Sequence, residues 1–449
     1  VRPADDNLVK TLCAARPMGA ITPPSCRQAT LTGRLATLSG AVMSHVAAAA
    51  ASASQVHDIA GRRSGPGFPV AARDDARVLV VDAAPAVVRC GLYSQRGPAA
   101  WAGSVAGLHT GGVAALEAAL QTLLNEALSH GEPPLAVVHR VLHGGDRHAA
   151  AARLDEATLR SLQALVPLAP GQQGAQLAGV FALRRAWPEV LQLACFDTAF
   201  HATQPALERR LALPRALARE GLRRHGFDGL ACAGMVASLL THSAQAEGRC
   251  VLMHLGATAS ACGTWRGRSQ ASTSGFSPLD GLVSATGCGS LDPGVLLHLM
   301  RQGWDADALE QLLARQSGLL GVSGLSADWR ALRAADDPRA GEAIDLFTRR
   351  LVREVGALVA LLGGVDLLAF GGDIGLHDPL LRAAVADALA WMGVRVDAQA
   401  NAAATGRVAT PLHAHTSDVE VWCVPVDEAR VAADAGFALL DAGARPLAQ

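Results

Sequence analysis

The residues able to do chemistry in this chain gather where apolar runs end. Residues 191–201 read LQLACFDTAFH: a strand-like run, then Asp197 where the run leaves the core, then Thr198, Phe200 and His201. An aspartate there either caps a turn by accepting backbone N–H groups or stands as a catalytic or metal-holding carboxylate at the carboxyl end of a sheet, where open α/β folds place their ligands. His201 beside Phe200 reads as a hydrogen-bonded structural histidine. In HRVLHGGDRH, residues 139–148, His139, His143, Asp146 and His148 raise the question of a metal site. Gly144-Gly145 breaks any helix that would align them, which argues against one. The Asp427-Glu428 pair opens a helical pattern, a position acidic residues favour in any case.

The elements that must position these groups follow from periodicity. RVLVVDAAPAVVRCGLY (77–93) reads as strand, turn, strand, and residues 112–131 as a helix. A strand at 135–145, helices near 154–165 and 175–187, and the strand 191–196 complete a first half. RCVLMHLGATASACGTWRG (249–267) opens a second half in the same form, with His254 where the first hairpin has Asp82. Helices near 293–303, 306–316 and 338–362 follow; the last is patterned as a core helix. Residues 365–375 read as a strand running into a Gly-rich loop, and 419–440 as a strand, a Pro turn and an acid-started helix. Two halves that each open on a hairpin predict a duplicated α/β architecture with a cleft between two lobes, 77–240 and 241–449, the C-terminal segment returning to the first lobe. Residues 1–76 are rich in Ala, Ser, Arg, Pro and Gly without strand-like runs, and read as a disordered extension or as translation assigned too far upstream, with Met43 as a candidate start. The stretch 41–54 is apolar like a signal core, but its late position and His45 argue against secretion.

Composition narrows the function. The 449 residues carry a net charge of −1, half are hydrophobic and 18% are charged, which is globular and advertises neither nucleic acid nor an anionic membrane. The one lysine is Lys10, so no later residue can act as a Walker-type phosphate lysine or form an imine. Nine scattered cysteines with no C-x-x-C point to a reducing, cytoplasmic setting rather than a zinc ribbon. No uninterrupted apolar stretch is long enough to span a bilayer.

Six blocks in order, HRVLHGG (139–145), FDTAFH (196–201), GFDG (226–229), HLGATAS (254–260), GFSPLDGL (275–282) and SGLLGVSGLSADWR (317–330), resemble the signature blocks of the acetate kinase family, which includes propionate and butyrate kinases. The resemblance runs over about residues 78–442. It implies the two-lobed, duplicated actin-like ATPase fold, a homodimer, ATP or ADP with Mg²⁺, and a short-chain carboxylate substrate. Carried over residue by residue, it makes Arg140 the substrate arginine and Asp197 the catalytic aspartate. Asp82 and Glu428 become the Mg²⁺ carboxylates; Arg89, His254, Gly256 and Gly375 fall on nucleotide loops, and Asp328 and Arg330 on the adenosine side. The acyl pocket falls on Leu142, Gly171, Phe227 and Pro278.

The chain also departs from the pattern. Asp82, AAPAVV and Arg89 replace an Asn, a Ser-rich turn and a Lys. Asp228 stands where the family has a phosphoryl-stabilising His, and two like charges about 4 Å apart repel by roughly 4 kcal/mol at an effective dielectric near 20. Gly287 replaces the catalytic Arg and Ser290 a nearby Asp, Ala257 replaces an Asn, and Asp373 sits at a loop glycine. An arginine of that kind is worth about 10³–10⁵ in phosphoryl-transfer rate. Two functions therefore stand side by side: an acyl kinase making acyl phosphate and ADP, and a pseudoenzyme that keeps the fold as a regulatory or interaction protein. Leu for Val at 142 and Gly for Leu at 171 predict a roomier pocket, and with it butyrate or propionate over acetate.

Overall fold

Val78, Leu79, Val80 and Val81 are essentially inaccessible to solvent, as a strand covered on both faces must be. They lie in the first strand of a computed structural model that describes residues 76–108 and 112–444. Apart from Ala76, the N-terminal extension expected over residues 1–76 lies outside the described residues.

Strands β1 (Arg77–Ala83), β2 (Val87–Ser94) and β3 (Ala99–Ala106) form an antiparallel meander. β4 (Ala136–Val141) and β6 (Leu191–Phe196) extend it in parallel beyond β1, and the short β5 (Ala152–Arg153) closes the edge antiparallel. The resulting order is β3-β2-β1-β4-β6-β5. The second sheet repeats this pattern. β7 (Arg249–Leu255), β8 (Ala259–Trp265) and β9 (Arg268–Ser272) make the meander; β10 (Leu367–Gly371) and β12 (Glu420–Cys423) run parallel to β7, and β11 (Thr410–Pro411) closes the edge. Its order is β11-β12-β10-β7-β8-β9. One topology used twice is the duplicated two-lobed architecture that the two hairpins predict. The edge strands β3, β5, β9 and β11 escape sequence reading because they are short or built from Ala, Ser and Gly, which give little alternation.

Helices cover the sheets on both faces. In the first lobe, Leu116, Leu120, Leu123 and Leu124 of the helix Gly112–Ser129 bury one face, and Ala432, Ala433, Phe437 and Leu440 of the helix Glu428–Ala444 bury the other. In the second lobe, the helix Pro338–Leu362 supplies Ile344, Phe347, Leu351 and Val355, and the helix Gly229–Leu240 supplies Cys232, Met235 and Leu239. The helices Gly229–Leu240 and Glu428–Ala444 also pack on each other. A Cβ on Gly234 would lie within about 3 Å of Val426 and Val431, so glycine sets that approach. All seven cysteines among the described residues are free thiols. No helix of the described residues is long and apolar enough to cross a membrane.

One expected loop is a helix. After β10 the chain continues directly into the helix Gly372–His377, where His377 Nδ1 meets the Asp373 carbonyl. The fully buried Arg382 stabilises this segment. Its guanidinium donates to the carbonyls of Gly375 (2.9 Å) and Leu376 (2.8 Å), to Asn401 Oδ1 (2.7 Å) and to the Asn401 carbonyl (2.7 Å). Among the described residues it pairs with no carboxylate. Replacing it strands those acceptors, each at a cost of about 1–3 kcal/mol when buried. Arg382→Met is expected to lose at least about 3 kcal/mol of stability in urea denaturation; a loss under about 1 kcal/mol would show that water takes over the guanidinium's bonds.

Candidate active site

β1, β4 and β6 run parallel, so their carboxyl ends lie side by side, and the site is built there. Arg140, near the end of β4, lies at its centre. Its Nε and Nη2 donate to Asp197 Oδ2 and Oδ1 at 3.1 and 3.3 Å, a forked pair. Nη1 faces Glu428 Oε2 at 2.5 Å and Asp82 Oδ2 at 3.6 Å. Arg89, opposite Asp82 across the β1–β2 ladder, approaches the same carboxylate at 3.7 Å from a mostly exposed position. His254, in β7 of the second lobe, brings Nε2 to 3.7 Å from Glu428 Oε1. The structure thus gathers six of the sequence-predicted residues, Asp82, Arg89, Arg140, Asp197, His254 and Glu428, into one cluster.

Local structure fixes each member. Asp197 follows β6; its N–H donates to the Val141 carbonyl (3.2 Å), and its own carbonyl accepts from Gly229 N (3.0 Å). A Cβ on Gly229 would fall 2.1 Å from that carbonyl, so only glycine lets the next helix start against Asp197. Glu428 is the first residue of its helix, which Tyr93 Oη ties to the first lobe by donating to Asp427 (3.2 Å), as does Arg430 by donating to the Ser94 carbonyl (2.6 Å). The Asp197 carboxylate oxygens thus face Arg140 rather than the backbone of a turn.

Charge is crowded here. Burial pushes Asp197 up to about 6; Arg140 pulls the other way, while Glu428 and Asp228 push it further up. Burial also raises Asp82, against Arg140 and Arg89. Burial works against the charge on Arg140, but Asp197, Glu428 and Asp82 together hold it protonated. Asp228 precedes the helix Gly229–Leu240 in the left-handed region, at φ 57°, without a capping bond. His and Asp both tolerate that conformation better than most residues, so the backbone accepts the exchange while the charge at the site reverses.

The remaining predicted residues lie apart from this cluster or have other partners. Asp328 caps the helix Trp329–Ala334 by accepting from Ala331 N (2.7 Å). Arg330 pairs with Asp373 at 2.8 Å in the open, so the aspartate at the loop-glycine position is held by the predicted adenosine-side arginine. Gly256 and Gly375 lie beside the turn after β7 and in the helix after β10, with only ordinary contacts where a Cβ would be. The Gly287 loop adjoins the β7 turn through Ala285 N donating to the Ala257 carbonyl (3.1 Å). The two arginines just before the altered GFDG motif, which could stand in for the cation missing at Gly287, are held elsewhere: Arg223 by Asp146, and Arg224 by Asp280 and the carbonyls of residues 272–274. His201 bonds Ser269 and the Phe227 carbonyl, as a structural histidine should. His139 bonds Gln192, and His148 bonds Ser161.

Leu142 and Phe227 pack together with Ala169. Gly171 and Pro278 do not close that pocket: both are exposed, and the atom nearest to where a Gly171 side chain would begin is Arg315 Nη2, at 3.6 Å. The enlargement expected from Gly171 therefore opens toward an arginine and solvent, not into an apolar chamber. Sequence reading missed Gln173 and Gln176, whose side-chain oxygens accept from His143 N (3.0 Å) and Leu142 N (2.8 Å). Their spacing of three on one helix face, in PGQQGAQL, is the signal that identifies them.

The cluster suits a hard cation. Asp82, Asp197 and Glu428 are oxygen donors, and Glu428 Oε2 is buried without a hydrogen bond despite its close contact with Arg140. Among the described residues no three His, Cys, Asp or Glu groups are placed to hold a metal ion together, so a cation here would have two carboxylates at most and would complete its shell with water and phosphate, as Mg²⁺ can.

Three buried histidines set an acid limit on stability. Burial lowers His139 to about 4, His143 to about 3 and His225 to about 4. The unfolded chain protonates them near 6.5, so it binds more protons below that pH and stability falls as the pH drops from 6.5 toward 4. Asp197 acts in the opposite sense between 3.8 and 6. The histidine contribution is therefore read as a difference: His225→Phe, which breaks no hydrogen bond, is expected to flatten the decline by up to about 1.4 kcal/mol per pH unit in denaturant melts. An unchanged slope would show that His225 takes up its proton in the folded protein.

A sequence model described as the acetokinase family matches residues 105–434. The acetate kinase of Rhodopseudomonas palustris (strain TIE-1) is 44% identical over 313 residues, which cover 69% of this chain and 78% of that protein. Among solved structures, Porphyromonas gingivalis acetate kinase superposes with a TM-score of 0.73 at 28% identity, over 81% of this chain and all of that one. A propionate kinase from Francisella tularensis gives 0.71 at 25% identity, over 80% and 98%. A sequence match across both lobes, together with a shared fold, places the chain in the acetokinase family.

Proposed function

We propose that the chain is a carboxylate kinase that transfers the γ-phosphoryl group of ATP to a short-chain carboxylate such as acetate, propionate or butyrate. The observation that carries the reading is Arg140: a permanently charged fork, surrounded by three carboxylates from separate elements, where the two lobes meet. The nucleophile needs no base, since a simple carboxylic acid is ionised at neutral pH. One carboxylate oxygen forms a bond to the γ-phosphorus as the bond to the bridging oxygen breaks, and that electron pair leaves with ADP. Asp197 holds the Nε side of Arg140 in plane, and Nη1, which faces Glu428 and Asp82, orients an incoming carboxylate or phosphate oxygen once those carboxylates turn to a cation. Asp82 and Glu428 would hold Mg²⁺, whose charge neutralises the phosphate oxygens. His254, Gly256, Gly375, Asp328 and Arg330 would line the nucleotide side, with Arg89 at the phosphate end; Leu142 and Phe227 would wall the acyl group. A cytoplasmic homodimer belongs to the same proposal.

Asp228 and Gly287 keep the pseudoenzyme reading in view, because one adds negative charge beside Asp197 and the other removes a cation. A coupled ADP-release assay with each carboxylate decides. Turnover that falls at least about 10²-fold in Asp197→Ala is the expected result. Absent turnover with ADP still bound, and turnover gained in the double variant Gly287→Arg with Asp228→His, would establish the pseudoenzyme instead.

A further inference from the structure

Beside Leu142 and Phe227 lie polar side chains with nothing to bond. His143, Gln176 and His225 are each at most 4% exposed. Yet His143 Nε2, Gln176 Nε2 and both ring nitrogens of His225 have no hydrogen-bond partner among the described residues. Buried polar groups left unpaired cost about 1–3 kcal/mol each, and three neighbouring ones call for an occupant. The neighbouring Gln173 shows the contrast: its oxygen accepts from His143 N, and its nitrogen donates to the His143 carbonyl.

Each is linked to the apolar pair Leu142 and Phe227, directly or through a neighbour. The His143 ring lies 4.4 Å from that of His225 and 5.7 Å from that of Phe227, edge-on to both. Gln176 Oε1 accepts from Leu142 N at 2.8 Å, and Leu142 packs with Phe227. Leu142 follows Arg140 by two residues, so these walls begin just past the end of the strand that carries the substrate arginine.

Their hydrogen-bonding polarity is set by the bonds already made. His143 Nδ1 accepts from Gly145 N (2.9 Å), so the ring proton is on Nε2, a donor without an acceptor. The Gln176 oxygen is used by Leu142 N, so its free atom is the NH₂ donor. His225 has a backbone bond to Gly275 through its N–H, and although the Gly221 carbonyl is near its ring, neither ring nitrogen is in hydrogen-bonding geometry. Burial keeps both imidazoles neutral, so each offers one donor and one acceptor in all. Two fixed donors and one group able to accept match a hydroxyl, which accepts from the donors and donates to the unprotonated nitrogen of His225.

We propose that the acyl subsite is built for a short carboxylate bearing a hydroxyl on carbon 2 or 3, and that His143, Gln176 and His225 read that hydroxyl. This rests on the carboxylate-kinase reading and names its substrate class. A plain acyl chain leaves all three groups unpaired, and sites made to bond a hydroxyl discriminate strongly against analogues without one.

The test is calorimetric binding to the full chain with ADP and Mg²⁺, comparing propionate with lactate and butyrate with 3-hydroxybutyrate. At least one hydroxy acid is expected to bind about tenfold or more tightly than its parent, and His225→Phe is expected to shrink that ratio toward one. The wild-type comparison stands even if the variant does not fold. Parent acids binding as tightly as their hydroxy forms would overturn the inference alone, leaving water as the occupant. Binding of no carboxylate at all would overturn the kinase reading with it.

Discussion

The site depends on one guanidinium. Among the described residues Arg140 is the only cation paired with Asp197, and it also faces Asp82 and Glu428, so three acidic side chains from β1, the end of β6 and the helix Glu428–Ala444 converge on it. Without that charge, three carboxylates in a half-buried space would repel or protonate; even with it, burial leaves Asp197 raised to about 6. Arg140 therefore acts as a structural counter-ion before any ligand arrives. An incoming anion must compete for it, or be bridged to the carboxylates by a cation.

The fold turns that constraint into a junction. Glu428 heads a helix that buries its apolar face on the first sheet, while His254 reaches the same carboxylate from the second. The helix Gly229–Leu240 begins against the Asp197 carbonyl and covers the second sheet with its apolar side. Two helices thus tie both sheets to one charged centre, and they pack closely because Gly234 has no side chain. The carboxyl ends of the parallel strands of each sheet are the positions that can supply such groups, and duplication provides two sets of them.

The departures from the family pattern take on physical meaning in this frame. Asp228 retains the backbone conformation that a His also tolerates, and changes only charge. Asp373 finds Arg330 on the exposed side. Gly287 has no such compensation among Arg223 and Arg224, both of which are committed to other partners. Arg315, on the segment hydrogen-bonded to the Gly287 loop through Ser317 N and the Thr286 carbonyl, reaches toward Gly171 instead.

Much of this was legible in the sequence. Apolar runs ending in Asp82, Arg140, Asp197 and His254 mark strand ends whatever the tertiary context, because a buried strand can carry charge only where it leaves the core. The two hairpins announced the duplication, and the helix over residues 338–362 follows from its periodicity alone. Tertiary structure decided what spacing cannot encode. It made Asp328 a helix cap and gave Arg330 a carboxylate partner. It left Gly171 open to solvent, although its deletion of a side chain read as pocket volume. It also set His143, Gln176 and His225, from three separate segments, unpaired beside one pair of apolar walls. Sequence specifies which groups a residue can bond; only the packed chain determines whether those bonds are already made.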